Sequence, residues 1–306
     1  MIDESTCPVC LAGTSTHYVD VEGLPYLRCD ACRSIHVCVE SLREIDAGRS
    51  QMRDYGENYW AMELKAARYR AKGEALSRAG EAILYCRRPV HRFLDVGAGP
   101  GFLLEKLLES LDPDAEIFHA VEKFPPEERF RHPNYHTGSL SDLGDRFDAG
   151  VCIEVVEHLT PAMLKSLVEA LAKVSEPDSY WLFNTGMDEY VANEDPGYLD
   201  PYRRGHIVSY SIKGLKAIFE PYGFKVHQLP GKSFAFAAEF QPSAPCDYDE
   251  RIYRPLAENV ELLKRNPLLY IAAFEVARSY FYFAGFMERT AWAKSLDAEL
   301  QALRKD

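Results

Sequence analysis

The sequence predicts an α/β fold: a doubly wound, mostly parallel sheet of seven strands, with a small N-terminal zinc ribbon and a C-terminal helical extension. Three observations carry this. Apolar runs of strand length alternate with helical patterns between Phe93 and Gln241, the signature of a sheet covered by helices on both faces. Two Cys-x2-Cys pairs stand near the N-terminus, and residues 247–306 have no strand signal and read as helix throughout. The expected units are residues 1–45 for the ribbon, 46–89 for a linker and helical segment, 90–242 for the α/β domain and 243–306 for the extension.

The ribbon comes first. Cys7-Pro8-Val9-Cys10 and Cys29-Asp30-Ala31-Cys32 are separated by eighteen residues. Four thiolates on two tight turns suit a closed tetrahedral zinc site, with no open position for catalysis. The segment from Tyr18 to Leu27, with Gly23 and Pro25, reads as a hairpin. So few residues bury little core, and a metal supplies the folding energy. His36 and Cys38 read as strand residues rather than ligands.

Residues 41–56 are polar and read as a loop. Tyr55-Gly56-Glu57-Asn58-Tyr59-Trp60 leads into a helical run from Ala61 to Leu84. Tyr59 and Trp60 either cover a ligand or staple that helix to the core.

The central stretch is Phe93-Leu94-Asp95-Val96-Gly97-Ala98-Gly99-Pro100-Gly101-Phe102-Leu103. A short apolar strand passes through three alternate glycines into an amphipathic helix. Glycine lets a ligand lie against the main chain, and the helix start offers unpaired N–H groups. The spacing is G-x-G-x-G, not the G-x-G-x-x-G of a dinucleotide turn, and no Walker Lys follows. The acid Asp95 before it disfavours a phosphate and suits a cationic or amino-bearing ligand.

The helix at 102–110 ends in a turn at Asp112-Pro113-Asp114. The second strand is Glu116 to Val121, closing on Glu122, an acid placed to accept both hydroxyls of a ribose. Tyr135 to Leu140 is the third strand and its loop. Phe147 to Glu154 is the fourth, apolar through its middle as a strand buried on both faces should be. It runs into Glu154-Val155-Val156-Glu157-His158-Leu159, and Thr160-Pro161 starts a helix to Ser175. Glu154, Glu157 and His158 lie within about one helical turn, so they can converge on a divalent ion or supply a general base. Ser179 to Asn184 is the fifth strand. The stretch from Gly186 to Arg204 is either a lid or a solvated loop, and Tyr198, Tyr202, Arg203 and Arg204 in it can bind a sugar or a phosphate. After a helix from Ser211 to Phe219, Phe224–Leu229 and Lys232–Gln241 form an antiparallel hairpin at the sheet edge.

The glycine turn resembles motif I (D/E-x-G-x-G-x-G) of the class I S-adenosylmethionine-dependent methyltransferases, whose sheet is Rossmann-like. With its cysteine pairs the chain resembles the methyltransferase-23-like members that carry an N-terminal zinc ribbon. The resemblance covers roughly residues 90–230, and the ribbon is a second match. It implies a cofactor site of Asp95, Gly97, Gly99, Gly101, Glu122, Ser139, Leu140 and Glu154. Ser139 stands where the family often has an Asp against adenine, with Asp142 as a substitute. The E-x-x-E-H run resembles that of the ubiquinone-biosynthesis O-methyltransferases and of the small-RNA 2′-O-methyltransferases. In the latter these residues and a later His hold Mg²⁺. That implies Glu154, Glu157, His158 and His206 as Mg²⁺ ligands, and His158, Glu154 and His206 as catalytic residues.

Composition narrows the substrate. The 306 residues are 47% hydrophobic, enough for a full core. With 35 basic and 47 acidic residues the net charge is −12, a poor default for binding nucleic acid or an anionic membrane. Eight cysteines and an N-terminus without a signal pattern suggest a reducing, cytoplasmic setting. The most apolar run, Leu268 to Met287, is broken by Glu275 and Arg278, so no transmembrane segment is expected. The aromatic face of that run suits core packing or a homodimer seam. The expected reaction is O-methylation of a hydroxyl on a sugar or small metabolite, by analogy with zinc-ribbon enzymes of saccharide and natural-product clusters. The alternatives are a metal-dependent RNA 2′-O-methyltransferase, a sugar C-methyltransferase, and a non-catalytic zinc-ribbon scaffold.

Overall fold

The computed structural model describes residues 6–50, 52, 57–109 and 116–303. The turn expected at Asp112-Pro113-Asp114, and Tyr55 and Gly56 of the aromatic stretch, lie outside them.

Two sheets organise the chain. The first has four antiparallel strands: β1 (Ser15–Val21), β2 (Leu24–Cys29), β3 (Ile35–Val37) and β9 (Val208–Ser209). The second has seven: β4 (Phe93–Val96), β5 (Phe118–Glu122), β6 (Tyr135–Thr137), β7 (Phe147–Ile153), β8 (Ser175–Asn184), β10 (Phe224–Gln228) and β11 (Ala235–Phe240). Its order is β10-β11-β8-β7-β4-β5-β6, and β11 alone runs against the other six, antiparallel to both of its neighbours. The order reverses at β4, flanked by β5 and β7, which makes the carboxyl ends of these strands the crevice of the fold.

The strands alternate their side chains between two cores. Phe93, Ala149, Val151, Tyr180 and Leu182 pack on one face with the helices α3 (Glu74–Tyr85), α9 (Ala257–Arg265) and α10 (Pro267–Leu303). Leu94, Val96, Cys152, Trp181 and Phe183 pack on the other with α5 (Pro161–Lys173), α7 (Ile212–Phe219) and the ribbon. Side chains cap both α5 and α7: Thr160 accepts from the Met163 N–H and Ser211 from the Gly214 N–H. At Gly80 of α3 an added Cβ would stand 3.1 Å from the Leu269 carbonyl of α10, so the extension lies directly on the domain. None of the helices among the described residues is long and apolar enough to cross a membrane.

Several local expectations are corrected. Residues 39–46 are a helix, α1, not loop, because Leu42 and Ile45 give it an apolar side that packs under the ribbon. The run 61–84 is two helices, α2 (Glu57–Lys72) and α3, parted at Gly73. The stretch 186–204 is not unstructured: α6 (Asp188–Asn193) and a 3₁₀ turn at Pro196–Tyr198 occupy it. The C-terminal helix is three helices, α8 (Tyr248–Tyr253), α9 and α10, interrupted before Pro255 and Pro267, where proline removes a backbone donor.

The ribbon is stitched into the α/β layer. β3 pairs with β9, Ile35 opposite Ser209 and His36 opposite Val208. The Ser211 N–H donates to Ser34 Oγ (3.0 Å), and the Ser211 hydroxyl donates to the Cys32 carbonyl. A Cβ on Gly214 would fall 2.3 Å from Ser34 Oγ and 2.8 Å from Val9, so glycine is what lets α7 sit this close. His36 contacts Ser15 Oγ through Nε2 and the Val37 carbonyl through Nδ1, which keeps it out of the cysteine cluster, as expected.

Candidate active site

The strand ends of β4, β5, β7 and β8 open on one cavity of about 1400 Å³. That exceeds the space a single small ligand needs. The glycine turn forms its floor. Gly97, Gly99 and Gly101 have φ of +72°, +53° and +74°, the left-handed region that glycine enters without a Cβ penalty. A Cβ at 97 would meet Val155 at 2.5 Å, and one at 101 would meet the Tyr135 ring at 2.6 Å. Glu122 braces the turn: Oε2 accepts from the Gly99 N–H and Oε1 from the Phe124 N–H, both 2.8 Å. Trp60 lies over it, 3.7 Å from where a Gly99 Cβ would be. Tyr59 and Trp60 both line the cavity, so this pair covers the turn.

Three acids gather there. Asp95 is buried at the end of β4, and burial, then the charge of Glu122, pushes its carboxyl up to about 7. Burial, then Glu157, pushes Glu154 up to about 8. Glu154 adopts φ +56°, a strained value for a side chain with a Cβ. That twist sends its carboxylate to Asn184, whose Nδ2 donates to Glu154 Oε1 at 3.0 Å. Asn184 in turn accepts from Arg78 Nε and donates to Glu74. A crowd of carboxylates held partly protonated is a site made for positive charge.

Ser139 and Leu140 line the cavity beside Gly138. Asp142 is engaged next to them: its Oδ2 accepts from the Ser139 N–H at 2.9 Å and closes a capping box.

At the opposite wall the E-x-x-E-H run divides. Glu157, His158 and His206 have ligating atoms within 4.8 Å of one another, and Glu154 is not with them because its reversed backbone points it to Asn184. Glu157 is fully buried, and neither of its oxygens has a hydrogen-bond partner among the described residues. Its Oε1 stands 3.9 Å from His158 Nε2 and 4.0 Å from His206 Nε2. His158 Nδ1 lies 3.0 Å from the Gly205 carbonyl, and His206 Nδ1 lies 2.8 Å from that of Tyr198. Carbonyls only accept, so both Nδ1 atoms are assigned the proton, and each ring turns its Nε2 toward the Glu157 carboxylate. Burial first, then His158, pushes His206 down to about 3. His158, His206, Tyr190, Tyr198 and Arg204 all face the cavity. Tyr202 and Arg203 point outward, Arg203 paired with Asp200.

A family model described as a methyltransferase domain (Methyltransf_23) matches residues 64–229, more than half of the chain. The chain belongs to this methyltransferase family. It is an enzyme, an S-adenosylmethionine-dependent methyltransferase. No curated protein matches it by sequence. Among solved structures it is similar to CalS10, an amino pentose methyltransferase from Micromonospora echinaspora (19% identity, 61% of this chain and 98% of that one, TM-score 0.44). It is also similar to the sugar N-methyltransferase KedS8 from Streptoalloteichus sp. (15%, 59% and 92%, TM-score 0.46) and to DesVI from Streptomyces venezuelae (17%, 60% and 99%, TM-score 0.43).

The lining of the cavity fits S-adenosylmethionine: a glycine floor that a Cβ would fill, with the acids Asp95, Glu122 and Glu154 beside it. The second cluster fits Mg²⁺ poorly. Two imidazoles and one buried carboxylate are not the oxygen cage that this ion takes. The ribbon cysteines fit zinc. Sγ of Cys7 is 3.8 Å from that of Cys32, and Cys10 is 3.7 Å from Cys29, close to the edge of about 3.8 Å of a tetrahedral zinc–thiolate site. Asn184, Arg70 and Tyr190 also line the cavity, and nothing in the spacing of Arg70 or Tyr190 marks them. Asn184 had a signal: like Asp95, Glu122 and Glu154, it closes a strand of the parallel sheet, where crevice residues stand.

Proposed function

We propose that the enzyme O-methylates a hydroxyl of a sugar or similarly small, polyol-like metabolite. The observation that carries this is the pair of imidazoles at the cavity wall, His158 and His206, each fixed by Nδ1 against a main-chain carbonyl. S-adenosylmethionine supplies an electrophilic methyl group. Asp95, Glu122, Glu154 and the glycine turn bind and orient it, with Ser139 and Leu140 beside the base. The hydroxyl proton goes to His158 Nε2. His206 is too weak a base at about 3 to take it and acts by orienting, held through its own Nδ1. Tyr190, Tyr198 and Arg204 offer the hydrogen-bonding and ring-stacking contacts that a sugar needs, and Trp60 helps exclude water. Net charge −12 argues against a nucleic-acid acceptor.

The four ribbon cysteines hold one structural zinc ion, and their need to stay reduced favours a cytoplasmic setting. Residues 1–45 with β9 then form the outer support of the acceptor side. The exposed aromatic side chains of α10, among them Phe274, Phe281 and Trp292, are the surface for a homodimer, which sedimentation at micromolar concentration tests.

The test of function is a transfer assay with methyl-labelled cofactor against a panel of free and nucleotide-linked sugars, with products read by NMR. A methoxy product supports the proposal. An N-methyl product, with no methoxy product from any hydroxyl acceptor, overturns it.

A further inference from the structure

Away from the methyl-transfer cavity, a second cluster of ligating side chains stands at the antiparallel edge of the sheet. His227 on β10 and Glu239 on β11 share one face of the hairpin, where residue 227 pairs with 237 and 225 with 239. Cys246 follows on the loop into α8. One ligating atom from each lies within 4.8 Å of the other two.

The polar atoms here are unusually placed. Glu239 is 1% exposed, yet among the described residues its Oε2 has no hydrogen-bond partner, and neither does the buried Nε2 of His227. The two atoms are 3.2 Å apart but are not aligned as donor and acceptor. With metal–ligand bonds of about 2.1 Å, the edge of a tetrahedral zinc site is about 3.4 Å. A separation of 3.2 Å without donor–acceptor alignment is compatible with two ligands on one ion. The other oxygen, Oε1, accepts from Arg251 Nη2. Outer partners of this kind hold a ligating carboxylate in its anionic form and fix its direction.

We propose that His227, Glu239 and Cys246 bind a divalent transition-metal ion, zinc in the cell, at a site separate from the ribbon. One imidazole, one carboxylate and one thiolate make a donor set that favours zinc over magnesium or calcium. His227 and Cys246 are only partly buried, which leaves solvent access for a water as fourth ligand. The ion joins the sheet edge to the start of the C-terminal helices, where Arg251 also donates to the Tyr85 carbonyl at 2.8 Å. The Arg251 charge makes this the weaker of two metal sites, the first to be emptied by a chelator.

The full chain, gel-filtered after incubation with zinc, is analysed for metal alongside His227→Ala and Cys246→Ser. Each variant is expected to carry one zinc ion fewer per chain than the unmodified protein, with unchanged affinity for S-adenosylmethionine. The difference holds whatever the ribbon binds. Equal zinc content in all three proteins overturns the proposal. Should the variants not fold, cadmium NMR of the unmodified protein decides. A resonance outside the all-sulfur range is expected, and all-sulfur signals alone reject the site.

Discussion

The Tyr26 hydroxyl, in the ribbon, donates to the main-chain carbonyl of His206 at 2.6 Å, across 180 residues of sequence. The Val37 N–H donates to the next carbonyl, that of Ile207, at 3.0 Å. The segment that carries one of the two cavity histidines is thus held as an extra strand of the ribbon.

Removing the ribbon's support is expected to damage turnover more than cofactor binding. Cys29→Ser should lower kcat by about tenfold or more while changing S-adenosylmethionine affinity by less than about threefold, since the glycine turn lies on other strands. Tyr26→Phe, which deletes one buried hydrogen bond, should reduce stability by about 1 kcal/mol. Steady-state kinetics and calorimetry on the same samples separate the two effects. Equal loss of both would show that the ribbon only holds the fold.

Glu122 braces the turn even without a ligand, through Gly99 and Phe124. Glu122→Ala is expected to weaken cofactor binding by about 10- to 100-fold, the loss of two charge-assisted contacts. Glu122→Gln should recover part of it. Titration calorimetry reads both, and a Kd for the alanine variant within twofold of the unmodified protein would remove Glu122 from the site.

Cofactor binding should depend on pH. In the free protein Asp95 and Glu154 titrate near 7 and 8, and a cationic ligand favours their ionised forms. Affinity should therefore rise between pH 6 and 9, by at most about tenfold per unit for each proton released. Stability of the free protein runs the other way. A carboxyl raised on folding binds more protons in the native state, so its contribution is full below the unfolded value and falls away as pH climbs through about 8. Glu154→Gln should flatten both slopes, and unaltered slopes in that variant would sink this account.

For the proton acceptor, His158→Ala should lower kcat by about 10²- to 10³-fold with cofactor affinity unchanged. His206→Ala should do less at the chemical step and more to acceptor KM. Near-normal turnover in His158→Ala would leave the hydroxyl proton without this base.

Gly97→Ala tests the turn itself. With φ +72° and a Cβ 2.5 Å from Val155, the variant should lose about 1–3 kcal/mol of stability, seen as a lower melting temperature and weaker cofactor binding.

Much of this site was legible in the chain. Local features such as the G-x-G-x-G turn, the acid closing β5, the paired cysteines and the helix start at Thr160-Pro161 depend on residues close in sequence. They survive being read one stretch at a time. The division of the E-x-x-E-H run was not legible. Spacing on a helix predicts that Glu154 and His158 share a face, but the positive φ at Glu154 reverses the backbone there. The helix of residues 39–46 is not legible because it is eight residues long and its apolar side, Leu42 with Ile45, is set by packing under the ribbon.

By itself the sequence determined that this protein has a parallel α/β sheet, a glycine-floored site for a cationic cofactor and a four-cysteine knuckle. Those follow from strand and helix periodicity, from glycine's freedom of φ and from the donor chemistry of thiolates. Only the tertiary structure decided that the knuckle's sheet takes in β9 and fastens His206, and that Glu154 turns to the cofactor side. It alone placed Glu157 between two imidazoles. These outcomes depend on residues tens to hundreds of positions apart that meet when β3 pairs with β9 and β7 with β8, and no local spacing encodes such meetings.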